Sequence, residues 1–327
     1  MSQGQGRIGD YRLVRYLGGG GMADLYLVEG PGPPEPLVLK RLQRRFLEHP
    51  QVVRRFIEEG RILARIEHPN VVRLHTAGEH ESGPYLVLEY IAGPDLGAVI
   101  DQAGERGLPL PCALAAGIVD QVARGLDCVH RLDAAEERPF GWVHGDVSPG
   151  NVMLSWGGTA KLLDFGVARR ADLPRDGEGE AGPAGNVRYM APEQIRGEAV
   201  DMRADLFSLG VILFELVVGQ RLFAGPPAAV MYKVCEGAIP RPRELRPEIP
   251  EALETLLLRL LARDRSARPP SAAALRDELH RYLASEGAGA GADDVARYLR
   301  QLFPPPEGPN AAEPIDDGGS SAEFDER

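Results

Sequence analysis

The stretch HGDVSPGN, residues 144–151, decides how this sequence is read. It holds two polar anchors, Asp146 and Asn151, five residues apart in a loop of small residues and one proline. That composition suits metal and phosphate chemistry better than core packing. The loop contains no cation, so a phosphate handled here needs its charge neutralised from elsewhere in the chain. Downstream, Asp164-Phe-Gly follows Asn151 by thirteen residues, after the strand-like AKLLD, and can bring a second carboxylate to the same point. A carboxylate and an amide oxygen facing a polyphosphate constitute a magnesium site, because Mg²⁺ takes few protein ligands and lets phosphate supply others. Asp146 is then free to accept the proton of an attacking hydroxyl. The plainer alternative makes Asp164 a turn-former before Gly166.

Upstream, LGGGGMADL at 17–25 puts Gly18 and Gly20 at the first two positions of a GxGxxG pattern, with Ala23 at the third. Glycines there let backbone N–H groups approach a triphosphate that a side chain would block. A plain hairpin turn explains the run equally well, and its place between strands rather than before a helix argues against a dinucleotide fold. Basic residues are overwhelmingly Arg, and the only lysines are Lys40, Lys161 and Lys233. Lys40 ends a strand-like run, and Glu59 falls on the helical stretch that follows. A buried ammonium needs a carboxylate, and such a pair can present the lysine to ATP phosphates. Lys161 and Lys233 read as chance retention.

The pattern YRLVRYLGGGGMADLYLV at 11–28 predicts two strands around a glycine turn, LVLK at 37–40 a third, and YLVLEYI at 85–91 another. Helical spacing marks 54–66, and after Gly93 long helical stretches follow at 113–132, 205–218, 252–261 and 272–283. A Gly/Ala linker at 285–292 precedes an amphipathic segment, 293–303, and an acidic, Pro-rich tail, 304–327, with the composition of a disordered segment. At 327 residues the chain is long enough for two lobes. A net charge of -11, with only short basic patches such as 41–45, argues against nucleic acid as the main partner. The three cysteines form no CxxC pair, which points to thiols in a reducing cytoplasm. Neither a signal peptide nor a membrane span is expected, since the apolar run 206–218 is short and broken by Ser208 and Glu215.

Taken together, these stretches resemble the eukaryotic-like protein kinases, above all the Hanks-type serine/threonine kinases of bacteria. The resemblance runs from Tyr11 to about Ala284. It rests on HPN at 68–70, the hinge-like LEYIAGPDL, HGDVSPGN, DFG, YMAPEQ at 189–194 and DMRADLFSLGVILFEL. It implies an α+β bilobal fold, a small β-rich N-lobe with one main helix (11–88), a hinge (89–93) and a larger helical C-lobe (94–284), preceded by an N-terminal segment, 1–10. It also implies ATP and Mg²⁺ as cofactors and protein substrates. By resemblance, Lys40 and Glu59 form an ion pair, Asp146 is the base, and Asn151 and Asp164 hold the metal. Gly18 and Gly20 cover the phosphates, and Leu17, Leu25, Val38 and Met153 enclose adenine. Backbone groups of Glu89 and Ile91 meet the adenine edge, Leu88 is the gatekeeper and Asp95 meets the ribose. Leu63, Leu74, His144 and Phe165 would stack as a spine, Glu193 would pair with Arg268, and Asp205 would anchor the catalytic loop.

Three positions depart from the family pattern. Gly145 replaces an Arg, Ser148 a catalytic-loop Lys and Asn186 a Thr. The Arg normally pairs with a phosphorylated residue of the activation segment. Between Asp164 and Glu193 there is no Ser or Thr, so control by Ser/Thr phosphorylation of that segment is not expected. Tyr189 is its one hydroxyl. The loss of Lys at Ser148 predicts slow turnover. Two rivals remain open: a pseudokinase acting as a scaffold, favoured by the altered loop, and a small-molecule phosphotransferase, whose loops look like HGDxxxxN. The segment 293–303 is either a regulatory docking helix or ordinary core.

Overall fold

The computed structural model describes residues 6–32, 35–133, 141–170, 186–287 and 289–304. Alternation of apolar and polar residues from the N-terminus builds one antiparallel sheet. Its strands are β1 (Arg7–Ile8), β2 (Tyr11–Gly19), β3 (Ala23–Glu29), β4 (Leu37–Leu42), β5 (Leu74–His80) and β6 (Gly83–Glu89), in the order β1-β2-β3-β4-β6-β5. Register sets Leu25 opposite Lys40, and Val38 opposite both Leu27 and Leu88. Side chains alternate across a strand, so Leu25, Val38, Lys40 and Leu88 share one face. The opposite face carries a small core of its own, with Val28, Leu37, Leu39 and Val87 closed by Ile8 and Tyr11.

A single long helix, α1 (Pro50–Leu63), crosses the sheet with Phe56, Glu59, Ile62 and Leu63 buried. It begins earlier than the periodicity from Arg54 predicts, because Pro50 at its first turn is compatible with helix. The YLVLEYI strand stops at Glu89, where the chain turns into the hinge. Among the elements outside the sequence-based expectations are strand β5 and helix α2 (Leu96–Glu105), whose N-cap Asp95 accepts the Ala98 N–H at 2.9 Å.

The C-lobe is built on α3 (Cys112–His130) and on short strands β7 (Trp142–Val143), β8 (Val152–Leu154), β9 (Ala160–Leu162) and β10 (Arg169–Arg170). There follow α4 (Pro192–Ile195), α5 (Arg203–Val218), α6 (Pro227–Cys235), α7 (Pro242–Leu245), α8 (Glu251–Leu260), α9 (Ala272–Glu286) and α10 (Ala292–Leu302). Helix α5 is buried from Ala204 to Val218. Its polar residues are the ones that hold loops in place. Ser208 donates to the Tyr189 carbonyl at 2.7 Å, and Glu215 accepts from the Tyr189 hydroxyl, Arg221 and the Leu222 N–H. No helix among the described residues is long and apolar enough to cross a membrane.

Helix α10 packs on α2 and α3 with Val295, Ala296, Leu299 and Leu302 buried, so its apolar stripe is covered by this chain's own C-lobe. The acidic loop 172–185 lies outside the described residues, as does the tail beyond Pro304.

Glu193 and Arg268 form a buried, two-pronged pair at 2.6 and 2.9 Å, and the guanidinium also reaches the Arg203 and Ala262 carbonyls and lies over the Phe207 ring. Removing one partner of such a pair strands the other charge. Arg268→Met is expected to cost about 3–5 kcal/mol in urea unfolding; a loss below about 1 kcal/mol would contradict the role given to the pair.

Candidate active site

The cleft between the lobes assembles from residues far apart in sequence. The Lys40 ammonium meets both Glu59 carboxylate oxygens, at 2.7 and 2.8 Å, and Asp164 Oδ1 at 3.1 Å. Burial works against a charge on this lysine, yet the Glu59 and Asp164 carboxylates outweigh it and raise the ammonium above its ordinary value. Helix α1 therefore sits inward, and the DFG turn faces the cleft. Phe165 beneath it stacks edge-on to His144, with ring centroids 4.7 Å apart.

Asp164 is one of two described non-glycine residues in the left-handed region, at φ 56°. That conformation costs about 1 kcal/mol or more for a residue with a side chain, and an Asx-type bond from the Gly166 N–H to Asp164 Oδ1, 3.2 Å, helps to hold it. Burial pushes the Asp164 carboxyl up, but Lys40 dominates and holds it below its usual range.

Across the cleft, HGDVSPGN forms a loop pinned from below. The buried Asp205 carboxylate accepts the N–H groups of His144 and Gly145, at 2.9 and 2.8 Å, and bonds His130 Nε2 at 2.8 Å. Gly145 lies at φ 78°, a conformation that strains any residue with a Cβ. Its carbonyl accepts from Gln194 Nε2 at 2.8 Å, so the YMAPEQ segment is fastened to the catalytic loop by an amide, with no Arg involved. Asn151 Nδ2 donates to the Asp146 carbonyl at 2.8 Å and to Asp146 Oδ2 at 3.0 Å. With the amide nitrogen committed, its oxygen is the atom left to accept a cation. Asp146 Oδ1 accepts the Asn186 N–H at 3.2 Å, and burial pushes this carboxyl above its ordinary value.

Packing requires glycine at only one position of the glycine turn, Gly19, where a Cβ would fall 2.6 Å from the Tyr16 hydroxyl. A Cβ at Gly18 or Gly21 would meet nothing within 4 Å, and at Gly20 only the Ala23 carbonyl at 3.9 Å. The Gly20 N–H donates to the Ala23 carbonyl at 2.8 Å, which closes the turn and leaves open space beside its backbone. Leu25 and Val38 line the sheet face above the cleft, while Met153 on β8 faces it from the C-lobe side, bridged to Asp95. Leu17 lies on β2, two residues before the strand ends at Gly19. Asp95 spends Oδ1 on capping α2. The Glu89 N–H is taken by the Arg73 carbonyl at 3.0 Å; Ile91 follows in the hinge, largely buried.

Two features escape the sequence-based reading. Lys161 is no chance retention: its ammonium pairs with Glu89 at 2.6 Å, joining β9 of the C-lobe to β6 of the N-lobe behind the hinge. Tyr189 is buried at 4 % exposure, its hydroxyl held by Glu215 at 2.8 Å and Arg221 at 2.7 Å. Burial and the Glu215 carboxylate raise its pKa far above that of an ordinary tyrosine.

Comparison with known proteins agrees with this geometry. The protein kinase domain family matches residues 11–280. Among curated relatives, tyrosine-protein kinase MasK of Myxococcus xanthus is 36% identical over 300 residues, covering 90% of this chain and 46% of the relative. Serine/threonine-protein kinase PksC of Streptomyces coelicolor is 33% identical over 327 residues, covering 93% of this chain and 57% of the relative. The chain thus spans about half the length of these relatives. The crystal structure of the PknI kinase domain of Mycobacterium tuberculosis superposes with a TM-score of 0.64 at 28% identity, covering 86% of this chain and 99% of that domain. With a curled sheet over a helical lobe and the cleft residues joined between them, the chain belongs to the protein kinase family, among the eukaryotic-like serine/threonine kinases of bacteria.

Proposed function

We propose that the chain is an ATP- and Mg²⁺-dependent protein kinase that transfers the γ-phosphoryl group to Ser or Thr of protein substrates, in a reducing cytoplasm where its cysteines stay free thiols. The observation that carries this reading is Lys40 bonded at once to Glu59 and Asp164, opposite an Asp146 oriented by Asn151 and Asn186. A scaffold that signals by shape has no need of that joint arrangement, so it weighs against the pseudokinase.

Lys40 binds and partly neutralises the α and β phosphates, while the amides around Gly18 and Gly20 close over them. Leu17, Leu25, Val38 and Met153 enclose the adenine, whose edge meets backbone groups of Glu89 and Ile91; Asp95 orients the ribose. Asn151 Oδ1 and a carboxylate oxygen of Asp164 would hold Mg²⁺, and the residues fit it: both are hard oxygen donors, the Asn151 amide nitrogen is committed to Asp146, and Mg²⁺ takes few protein ligands. When bound, the ion would supply positive charge that offsets the charge developing on the transferred phosphate. Asp146 orients the substrate hydroxyl and receives its proton.

Protein substrates are favoured over small molecules by the YMAPEQ segment, which Gln194, Tyr189 and the Glu193–Arg268 pair fasten to the helical lobe as a platform beside Asp146. A tyrosine acceptor is the second reading, supported by the 36% identity to a relative named as a tyrosine kinase and by Ser148 in place of the lysine.

Pure protein with generic acceptors and radiolabelled ATP should transfer phosphate to Ser and Thr. Chelation by EDTA or Asp146→Asn should abolish the signal; transfer that survives both would exclude this mechanism, and label on Tyr alone would select the second reading. Ser148→Lys should raise the rate by on the order of a hundredfold, since one preorganised charge at the transferred group is restored. An unchanged or lower rate would refute that account of the deficit. Mass spectrometry of active protein should find no stoichiometric phosphate on Tyr189, because its hydroxyl is sealed between Glu215 and Arg221; activating phosphate there would overturn the absence of a phospho-switch.

A further inference from the structure

The family match ends at residue 280, yet the chain beyond it returns to the hinge. Residues 92–95 and 153–156 lie side by side. The Trp156 N–H donates to the Ala92 carbonyl and the Leu154 N–H to the Pro94 carbonyl, each at 2.9 Å, while Asp95 bridges to Met153. At Gly93, φ 155°, a Cβ would fall 1.9 Å from the Leu154 carbonyl oxygen, so the two backbones touch with no room for a side chain.

Helix α10 clasps the turn that continues from this ladder, and does so at both ends. Its first residue, Ala292, sits so close to Gly158 that a Cβ there would lie 1.8 Å from the Ala292 carbonyl oxygen. Just past its last turn, the Phe303 ring meets the Trp156 indole edge-on, with centroids 6.1 Å apart. Between these ends, Tyr298 donates to the Leu108 carbonyl and Arg106 to the Gln301 carbonyl, at 3.0 and 3.2 Å, fixing the helix to α2 and the loop after it.

We propose that Phe303 and Trp156 are positioning residues for the nucleotide: the C-terminal helix braces the hinge from behind and so fixes where the adenine edge and Met153 stand. This rests on the nucleotide site proposed above, although the brace itself is a property of the fold. Ordinary core filling would lower global stability without singling out the hinge. A brace acts on nucleotide binding and on hinge motion first.

The test uses the full chain. In Phe303→Ala, amides of Ala92, Gly93, Asp95 and residues 154–156 should exchange hydrogen faster than in wild type, while those of α5 do not change. The KM for ATP should rise roughly three- to tenfold, the value of one aromatic pair, with kcat within about twofold. Phe303→Tyr, which keeps the ring edge, should restore both. Hinge exchange equal to wild type in Phe303→Ala, or a fall in kcat with KM unmoved, would overturn the brace. Should the wild-type chain bind no nucleotide, the kinase reading falls, and the exchange comparison still decides the brace by itself.

Discussion

The buried ammonium of Lys40 is the constraint from which the cleft follows. Taking an ion out of water costs several kcal/mol, and the cost is met only when carboxylates arrive with good geometry. Here two of them come from opposite lobes: Glu59 on α1 and Asp164 from the turn after β9. For both to reach Nζ, α1 must lie against the sheet, Asp164 must adopt its left-handed backbone, and the strands must keep the register that points Lys40 into the cleft. A shift of one residue in β4 would turn the ammonium to the other face. The small apolar core on that far face gives the register a second reason to hold.

A second anchor acts below the cleft, and the departures from the family pattern make sense around it. Asp205 fixes the start of the catalytic loop through two backbone N–H groups, Gln194 ties its carbonyl to the substrate-facing segment, and Tyr189 ties that segment to α5 through Glu215. Each bond is made by a group that needs no phosphorylation. Gly145 therefore reads in two ways that agree. It removes the guanidinium that a phosphate would recruit, and it relieves a left-handed backbone position that any side chain would strain.

What could be read in the sequence was whatever is carried by local pattern. Alternation located β2, β3 and β4, helical spacing located α1, α3, α5, α8 and α9, and the motif residues Lys40, Asp146, Asn151 and Asp164 stand out because their types are unusual for the places they hold. Strand β5, LHTAGEH, stayed hidden because its small and polar residues give a weak alternation, most of it only half-buried in the sheet. Helix α2 begins directly from the hinge and contains Gly97, so its start looks like loop until the Asp95 cap is seen. The pairing of Lys161 with Glu89 spans 72 residues, and no local pattern reports such a contact. The same holds for α10: its stripe was legible, but whether it met the C-lobe or a partner was decided by Gly158 and Trp156, which only the fold brings to it.

The Glu89–Lys161 pair carries a further meaning for how the two lobes part. One partner belongs to each lobe, so any opening that swings the sheet away from the helices must stretch a 2.6 Å contact at the pivot. The side chains are 24% and 18% exposed, so solvent ions reach them, unlike the sealed Lys40–Glu59 pair. The pivot thus carries an ion pair in touch with the medium, whereas the pair that holds Lys40 to α1 inside the N-lobe is insulated. Rising ionic strength loosens the contact at the pivot while leaving the Lys40–Glu59 pair intact, which makes the breathing of the lobes, rather than the placement of α1, the property that salt adjusts.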